Sequence, residues 1–437
     1  MRKIFTGSAL RNFHGYETVR PPEIFAGIAA EIAEYLRRIF LERTDFMNNC
    51  KAVEIAKNIY WVGAIDWSMR NFHGYETARG SSYNAYLILD EKITLIDTVK
   101  INFKDEMLAR ISSVVDPAKI DVIVSSHVEP DHSGALREIA EIAKNAEIIT
   151  TNPNGVKGLT ARYGSLNYKP VKAGDSISIG ARTLQFVPTP MLHWPDSMVT
   201  YCPEDKILFS NDAFGEHLAT AMRFDDENDL DTILFEAKKY YANILMPFGK
   251  QAQTALKALA NLELNLIATG HGVIWRTNIE QILACYRIWS SGDVEDCAVV
   301  VFDSMWHSTE ILAQTITEAF AKRGIPAAYY DIKTTPMSDI VTDIFLSKYL
   351  AVGSPTINNQ MMPTIASFLC YIKGLRPQNH KGFAFGSYGW GGQSIALVED
   401  ELKAAGVEII LDKIKIANLP TKEQLDDITA KILALEL

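Results

Sequence analysis

The chain has 437 residues, 48% hydrophobic and 22% charged, with a formal net charge of −10. That length exceeds one ordinary core, so two domains are expected, and the composition is that of a soluble globular protein. The acidic balance, with no basic stripe, argues against a nucleic-acid binder, and no apolar run approaches the ~20 residues of a membrane span.

The chain opens MRKIFTGSALRNFHGYET. Two positive charges stand at its start, but no long apolar run follows, so it makes a poor signal peptide. The cysteines, Cys50, Cys202, Cys285, Cys297 and Cys370, are scattered and form no C-x-x-C pair. That usage suits a reducing cytoplasm and excludes a built-in rubredoxin-type or zinc-ribbon module.

RNFHGYET occurs twice, at Arg11–Thr18 and Arg70–Thr77, each followed by an arginine at the same offset (Arg20 and Arg79). Between the copies, Ile24, Ile28, Ile32, Leu36 and Ile39 follow helical spacing after a Pro-Pro start. Residues 1–46 therefore read as an appended segment with one amphipathic helix. A local duplication, or a start placed too early, is expected in preference to a new functional element. A first domain is expected over 47–293 and a second over 294–437.

In the first domain NIYWVGA, YNAYLILD, KITLIDTV and IDVIVSS read as strands, with FKDEMLARISSVV a helix. AEIITT, SISIG, TLQFVPT and KILFSND continue the strands, and GKQAQTALKALANLE is helical before NLIATGHG. SSGDVEDC fits a linker. Beyond it, CAVVVFDS, AAYYDI, YLAVGSPT, GFAFGSYG and VEIILD alternate with helices as continuous apolar runs. That pattern predicts a doubly wound, flavodoxin-like parallel sheet.

The strand IDVIVSS runs into HVEPDHSG, where four of eight residues are metal-ligand types: His127, Glu129, Asp131 and His132. Adjacent ligands in such a stretch can serve two ions. Three distant candidates follow other strands: His193 in PTPMLHWPDS, Asp212 in LFSNDAFG and His271 in ATGHG. The glycines around His271 let backbone approach closely.

These residues and their order resemble the metallo-β-lactamase fold, an αββα sandwich. The hydrolase version of the motif is H-x-H-x-D-H. Here Glu129 replaces the second histidine, and the added carboxylate shifts preference from zinc towards iron. With the flavodoxin-like half, residues Met47 to Leu437 resemble the flavodiiron proteins, also called A-type flavoproteins. The resemblance implies one iron on His127, Glu129 and His193, a second on Asp131, His132 and His271, and Asp212 bridging them. It also implies a place for His73 near the pair. His217 and His380 read as ordinary polar residues, and His14 as a non-functional copy of His73.

In the second half, Ser304, Met305, Trp306, His307, Ser308 and Thr309 form a loop before a helix, where hydroxyls, backbone N–H groups and the helix dipole favour a phosphate. FMN fits, since it carries one phosphate, and there is no G-x-G-x-x-G or G-K-[ST]. GSPTINNQ supplies Ser354, Pro355, Thr356, Ile357 and Asn358. GSYGWGG supplies Ser387, Tyr388, Gly389, Trp390, Gly391 and Gly392. Trp306, Tyr388 and Trp390 are candidates to stack on the flavin. All three loops resemble the family's FMN-binding loops.

The resemblance implies an oxidoreductase that reduces O₂ to water, NO to N₂O, or both. Two ferrous ions and a reduced flavin store the four electrons that O₂ reduction needs. It further implies a head-to-tail homodimer or a dimer of dimers, and an external donor, either rubredoxin or a reduced deazaflavin. The alternatives are a zinc hydrolase of the lactamase fold fused to a flavodoxin electron carrier, and a non-catalytic carrier.

Overall fold

The computed structural model describes Glu34 and residues 49–435. The first RNFHGYET copy and the helix expected between the copies lie outside those residues, apart from Glu34, which is helical. From Ala52 on, the chain forms one unit.

Two sheets make the first half. Seven strands lie in the order Val53–Ala56, Ile59–Trp61, Tyr86–Ile88, Thr94–Ile96, Val122–Val124, Glu147–Thr151 and Tyr168–Val171. The first four run antiparallel to one another in turn, and from Thr94–Ile96 onward each strand is parallel to the next. A second sheet of five follows: Ser176–Ser178, Thr183–Pro188, Met198–Cys202, Ile207–Asn211 and Leu266–Thr269.

Alternation along the strands explains the layering. Successive side chains point to opposite faces of a strand. Tyr86, Ile88, Ile96, Val122 and Val124 share one core with Phe186, Met198, Ile207, Phe209 and Ala268 of the second sheet. Their neighbours Leu87, Leu95, Ile123 and Ile148 pack outward on Met107, Ile111, Leu136, Ile139 and Leu159. Those residues lie on the helices Lys104–Ser112, Leu136–Ile142 and Asn154–Tyr163. On the far side, Val199, Tyr201, Leu208 and Ile267 pack on the helices Leu230–Tyr240, Gly249–Leu259 and Ile279–Ser291. The result is the expected αββα sandwich.

The helix Ile279–Ser291 ends at Gly292, whose left-handed backbone (φ 79°) closes the last turn. The next strand begins at Glu295. The connection is thus shorter than SSGDVEDC suggests, because both flanking elements extend into that stretch.

The second half is a parallel sheet in the order Ala327–Asp331, Glu295–Phe302, Ser347–Gly353 and Lys381–Tyr388. Glu408–Ile409 and Ile414–Ala417 both lie beside the last of these. This is the doubly wound arrangement. Ala298, Val300 and Phe302 face Leu312, Ile316, Phe320, Ile428 and Ile432. Val299 and Val301 face the other way, into the same core cluster as the helices Leu230–Tyr240 and Ile279–Ser291 of the first half. That cluster runs across both halves, and the Tyr241 and Phe345 rings meet at 5.3 Å where they join.

Candidate functional site

Every distant metal-ligand candidate follows a strand. His127 comes just after Val122–Val124, His193 after Thr183–Pro188, Asp212 directly after Ile207–Asn211, and His271 just after Leu266–Thr269. Backbone bonds tie these loops together: Asn84 N–H donates to Gly270 O (2.8 Å), Gly270 N–H to Asn211 O (2.6 Å) and Thr98 N–H to His132 O (2.7 Å). A Cβ on Gly270 would meet His132 Cε1 at 2.8 Å and Asn211 O at 3.0 Å, so the position demands glycine.

All seven expected ligand-type residues converge, and all are buried. They form two trios joined by one carboxylate. His127 Nε2 and His193 Nε2 lie 3.2 and 3.3 Å from Glu129 Oε2, and 3.8 and 3.6 Å from Asp212 Oδ2. His132 Nε2 and His271 Nε2 lie 3.6 and 3.3 Å from Asp131 Oδ2, and 2.9 and 3.3 Å from Asp212 Oδ1. The two oxygens of Asp212 thus serve different histidine pairs.

This geometry calls for cations. Burial disfavours the imidazolium of His271, yet the attraction of the Asp131 and Asp212 carboxylates outweighs it and pushes the group up to about 10. His127 is raised in the same way, with burial opposed by Asp196 and Glu129, and so is His132, with burial opposed by Asp131 and Asp212. Conversely, burial works to raise the Asp212 carboxyl, but His132 and His271 hold it well below the usual carboxylate range. Protons on nitrogen supply the positive charge that three packed carboxylates require. Both Asp131 side-chain oxygens and Asp212 Oδ2 find no hydrogen-bond partner. Buried carboxylate oxygens that face imidazoles yet lack hydrogen bonds leave room for a cation between them, so the residues fit a pair of divalent ions, whose binding would displace those protons.

His73 stands at the rim, its side chain 42% exposed and its Nε2 2.5 Å from Glu129 Oε1. It sits in the hairpin Asn71–Phe72/Tyr75–Glu76, and its own φ is 52°. Phe72 stacks on it at 4.1 Å.

Three supporting groups escaped the sequence reading. Asp196 Oδ2 takes the His127 Nδ1 bond at 3.0 Å. Ser82 O takes that of His271 at 2.6 Å. His217, read as an ordinary polar residue, is fully buried with its ring 4.8 Å from His271 and its Nδ1 2.8 Å from Ser81 Oγ. Burial and the neighbouring His271 hold His217 well below the usual histidine range. A signal did exist for Asp196, a carboxylate three residues past His193 in PTPMLHWPDS; Ser82 acts through its carbonyl, which no motif records.

The second half gathers the expected loops at the ends of its strands. A cavity of about 270 Å³ is lined by Met305, Trp306, Ser308, Pro355, Thr356, Ser387, Tyr388 and Gly389, together with Asn418 and Leu419. A second, of about 250 Å³, shares Thr356 and Gly389 and adds Asn358, Asn359, Trp390 and Gly391. Ser304 Oγ is buried and unpartnered, while His307 precedes the helix Ser308–Lys322 and bonds Glu310 at 2.6 Å. Thr309 is tied to Ser387 (2.8 Å) and Thr356 to Ser394 (2.8 Å). Ser354 Oγ accepts from Met362 N–H (2.9 Å), Ile357 closes a tight turn with Gln360, and Gly392 precedes the helix Gln393–Ala404. Trp306 and Trp390 are 84% and 96% exposed. Hydroxyls at a helix N-terminus beside exposed aromatic rings suit a phosphate-bearing flat ring. Asn418 and Leu419 were missed because the strand before them, Ile414–Ala417, was not read.

An αββα sandwich with two joined metal positions, followed by a flavodoxin-like sheet, defines a metal-and-flavin oxidoreductase. Residues 82–272 match the family model of the ODP family beta lactamase, and residues 300–431 match that of flavodoxin. The chain is 43% identical over 366 residues to a protein named nitric oxide reductase from Moorella thermoacetica, covering 82% of this chain and 92% of that protein. Among solved structures, the rubredoxin oxygen:oxidoreductase of Desulfovibrio gigas matches with a TM-score of 0.86 and 38% identity, covering 88% of this chain and 98% of that one. The flavodiiron protein of Giardia intestinalis matches with a TM-score of 0.85 and 36% identity, covering 88% and 96%. The chain belongs to the flavodiiron protein family. Membership implies an FMN and a diiron site.

Proposed function

We propose that this chain reduces dioxygen to water, nitric oxide to nitrous oxide, or both, at a diiron centre fed by FMN. The observation that carries the reading is the division of Asp212, one oxygen toward His127 and His193 and the other toward His132 and His271. That symmetry suits two ions rather than one, and Glu129, standing where the hydrolase motif has a histidine, speaks against a zinc hydrolase. His127, Glu129 and His193 would hold one ion, Asp131, His132 and His271 the other, and Asp212 both. Three carboxylates beside four imidazoles favour iron over zinc.

When bound, the irons and the flavin supply the electrons and activate the gas. The chain's own residues fix spacing, charge and access. Asp212 sets the separation of the two positions, the buried walls keep bulk water out, and His73 at the rim keeps Glu129 Oε1 engaged. In the second half, Ser304, Ser308 and Thr309 would hold the FMN phosphate at the helix N-terminus. Met305, Trp306, Tyr388 and Trp390 would flank the ring, with the Ser354–Asn358 and Ser387–Gly392 loops beneath it.

Two tryptophans this exposed beside a cavity favour a covering partner, and we assign that role to a second copy in a head-to-tail homodimer or a dimer of dimers. The name of the D. gigas relative includes rubredoxin, and rubredoxin or a reduced deazaflavin is the proposed donor. The proposed domains are 47–293 and 294–437 after an appended 1–46; the helix end at Gly292 supports the second boundary. A cytoplasmic setting rests on the scattered cysteines.

The test is anaerobic. The purified protein is fully reduced, O₂ or NO is added in separate runs, and each gas is followed with an electrode. Faster loss of NO with N₂O formed marks a nitric oxide reductase. Faster loss of O₂ without peroxide marks an oxidase. Iron- and FMN-loaded protein that consumes neither gas sinks the reading and moves the zinc hydrolase forward.

A further inference from the structure

The two metal positions match in their direct ligands and differ in what stands behind them. Each has two imidazole Nε2 atoms, one carboxylate of its own and one oxygen of Asp212. Behind His127, however, stands a buried carboxylate: Asp196 Oδ2, 3.0 Å from Nδ1. Behind His271 stands a neutral carbonyl, Ser82 O. His132 has no hydrogen bond behind it, for its Nδ1 is buried without a partner, and the buried Asp97 carboxylate acts on it only through its charge.

We infer that Asp196 is a positioning residue that makes the two metal positions unequal, so that the ion on His127, Glu129 and His193 is held more tightly than the ion on Asp131, His132 and His271. The inference rests on the dimetal reading above. A carboxylate that accepts the Nδ1 proton fixes the tautomer, leaves the Nε2 lone pair for the metal and makes it a stronger donor. A carbonyl does this more weakly.

Asp196 is well placed to act. The same Oδ2 accepts Val128 N–H at 2.7 Å, which fixes the chain between His127 and Glu129. Its backbone carbonyl accepts Thr151 Oγ1 at 2.9 Å, and the preceding Pro195 O accepts Asn154 Nδ2 at 3.0 Å. Both partners lie at or just past the end of the strand Glu147–Thr151, so the carboxylate is anchored to the sheet. The Trp194 ring stands edge-on to His127 at 5.0 Å and closes the side. Two groups oppose the ranking: the buried Asp97 carboxylate lies near His132 but makes no hydrogen bond to its Nδ1, and His73, at Glu129 Oε1, draws charge from the favoured position. His73 is half in solvent, where its effect is screened, whereas Asp196 is buried. The oxygen of Glu129 nearest the two imidazoles is Oε2, not the one His73 touches.

The first test uses the full wild-type chain loaded with two ferrous ions and dialysed anaerobically against a chelator until one remains. Anomalous diffraction at the iron edge should find the retained ion beside His127. Retention beside His271, or equal occupancy, overturns the inference. The second test uses Asp196→Asn, which keeps an oxygen for Val128 N–H and removes the charge. Release of the ion at His127 should quicken by ~10–100-fold while release of the other is unchanged, with circular dichroism as the check on folding. A uniform acceleration of both ions would point to a merely structural role and overturn the inference. If Asp196→Asn does not fold, the wild-type diffraction decides alone. Failure of the wild type to take up two ions sinks the dimetal reading and this inference together; two ions leaving in the opposite order sinks only the inference.

Discussion

The metal end and the flavin end of this chain are built on opposite plans. At the metal end seven ligand-type side chains are buried and already face one another. At the flavin end the cavity is open and its two largest rings lie in solvent. A cluster of charge must be preorganised, because its parts repel unless each is held against a partner. A flat aromatic ligand needs only a cradle and can itself supply the missing wall. The metal end should therefore be intolerant of single changes, and the flavin end forgiving.

The sharpest way to break that contrast is Asp212→Ala. Because this carboxylate serves both positions, both ions should be lost from one substitution, and gas consumption should fall by more than the ~100-fold seen when an outlying metal partner is removed. Metal analysis alongside the gas electrode checks it; retention of one full equivalent of iron would mean the positions are independent.

A second test uses pH. In the metal-free fold His271 sits at about 10, against ~6.5 in an unfolded chain. A raised value stabilises the fold fully below pH 6.5, and that contribution is lost as pH climbs toward 10. Metal-free protein should thus melt lower at pH 9.5 than at 6.5, more so than the iron-loaded form, which carries no such proton. Iron affinity should move the other way and strengthen with pH, by up to ~10-fold per unit for each proton displaced. Calorimetry on both forms, and competition with a chelator, give the two slopes.

Trp390→Ala probes the forgiving end. One ring is worth ~0.5–1.5 kcal/mol, so FMN should bind up to about tenfold more weakly with iron content unchanged, as flavin fluorescence would report. The smallest effect is expected from His73→Gln. It should leave both ions bound and shift the KM for the gas by roughly a few-fold, since the group is exposed and acts through Glu129. Loss of iron there would make His73 a ligand instead.

The same contrast explains what the sequence made legible. HVEPDHSG carries four ligand types in one stretch, and His193, Asp212 and His271 each follow an apolar strand, so all seven could be read as candidates, while their division between two ions came from the family resemblance. Strands buried on both faces, such as CAVVVFDS, likewise announced the parallel sheet. Supporting contacts were harder. Asp196 reaches His127 across 69 positions of chain, and Ser82 acts through its backbone. His217 matters by packing between Phe72, Tyr240 and His271, which spacing does not reveal. At the flavin end Asn418 and Leu419 were invisible because Ile414–Ala417 alternates buried and exposed residues within four positions, too short a pattern to stand out.

The apolar cluster that runs from Leu208 and Tyr286 through Tyr241 and Phe345 to Val301 and Phe368 makes the two halves poor candidates for separate lives. Cutting at Gly292 would leave each fragment with a greasy scar where the other had been, prone to clumping. Heating the intact chain should give one calorimetric peak rather than two, and a proteolytic nick at Gly292 should leave the fragments associated. Selection would then act on the pair as a single inherited block, which fits the 92% of the Moorella relative that the match to this chain covers.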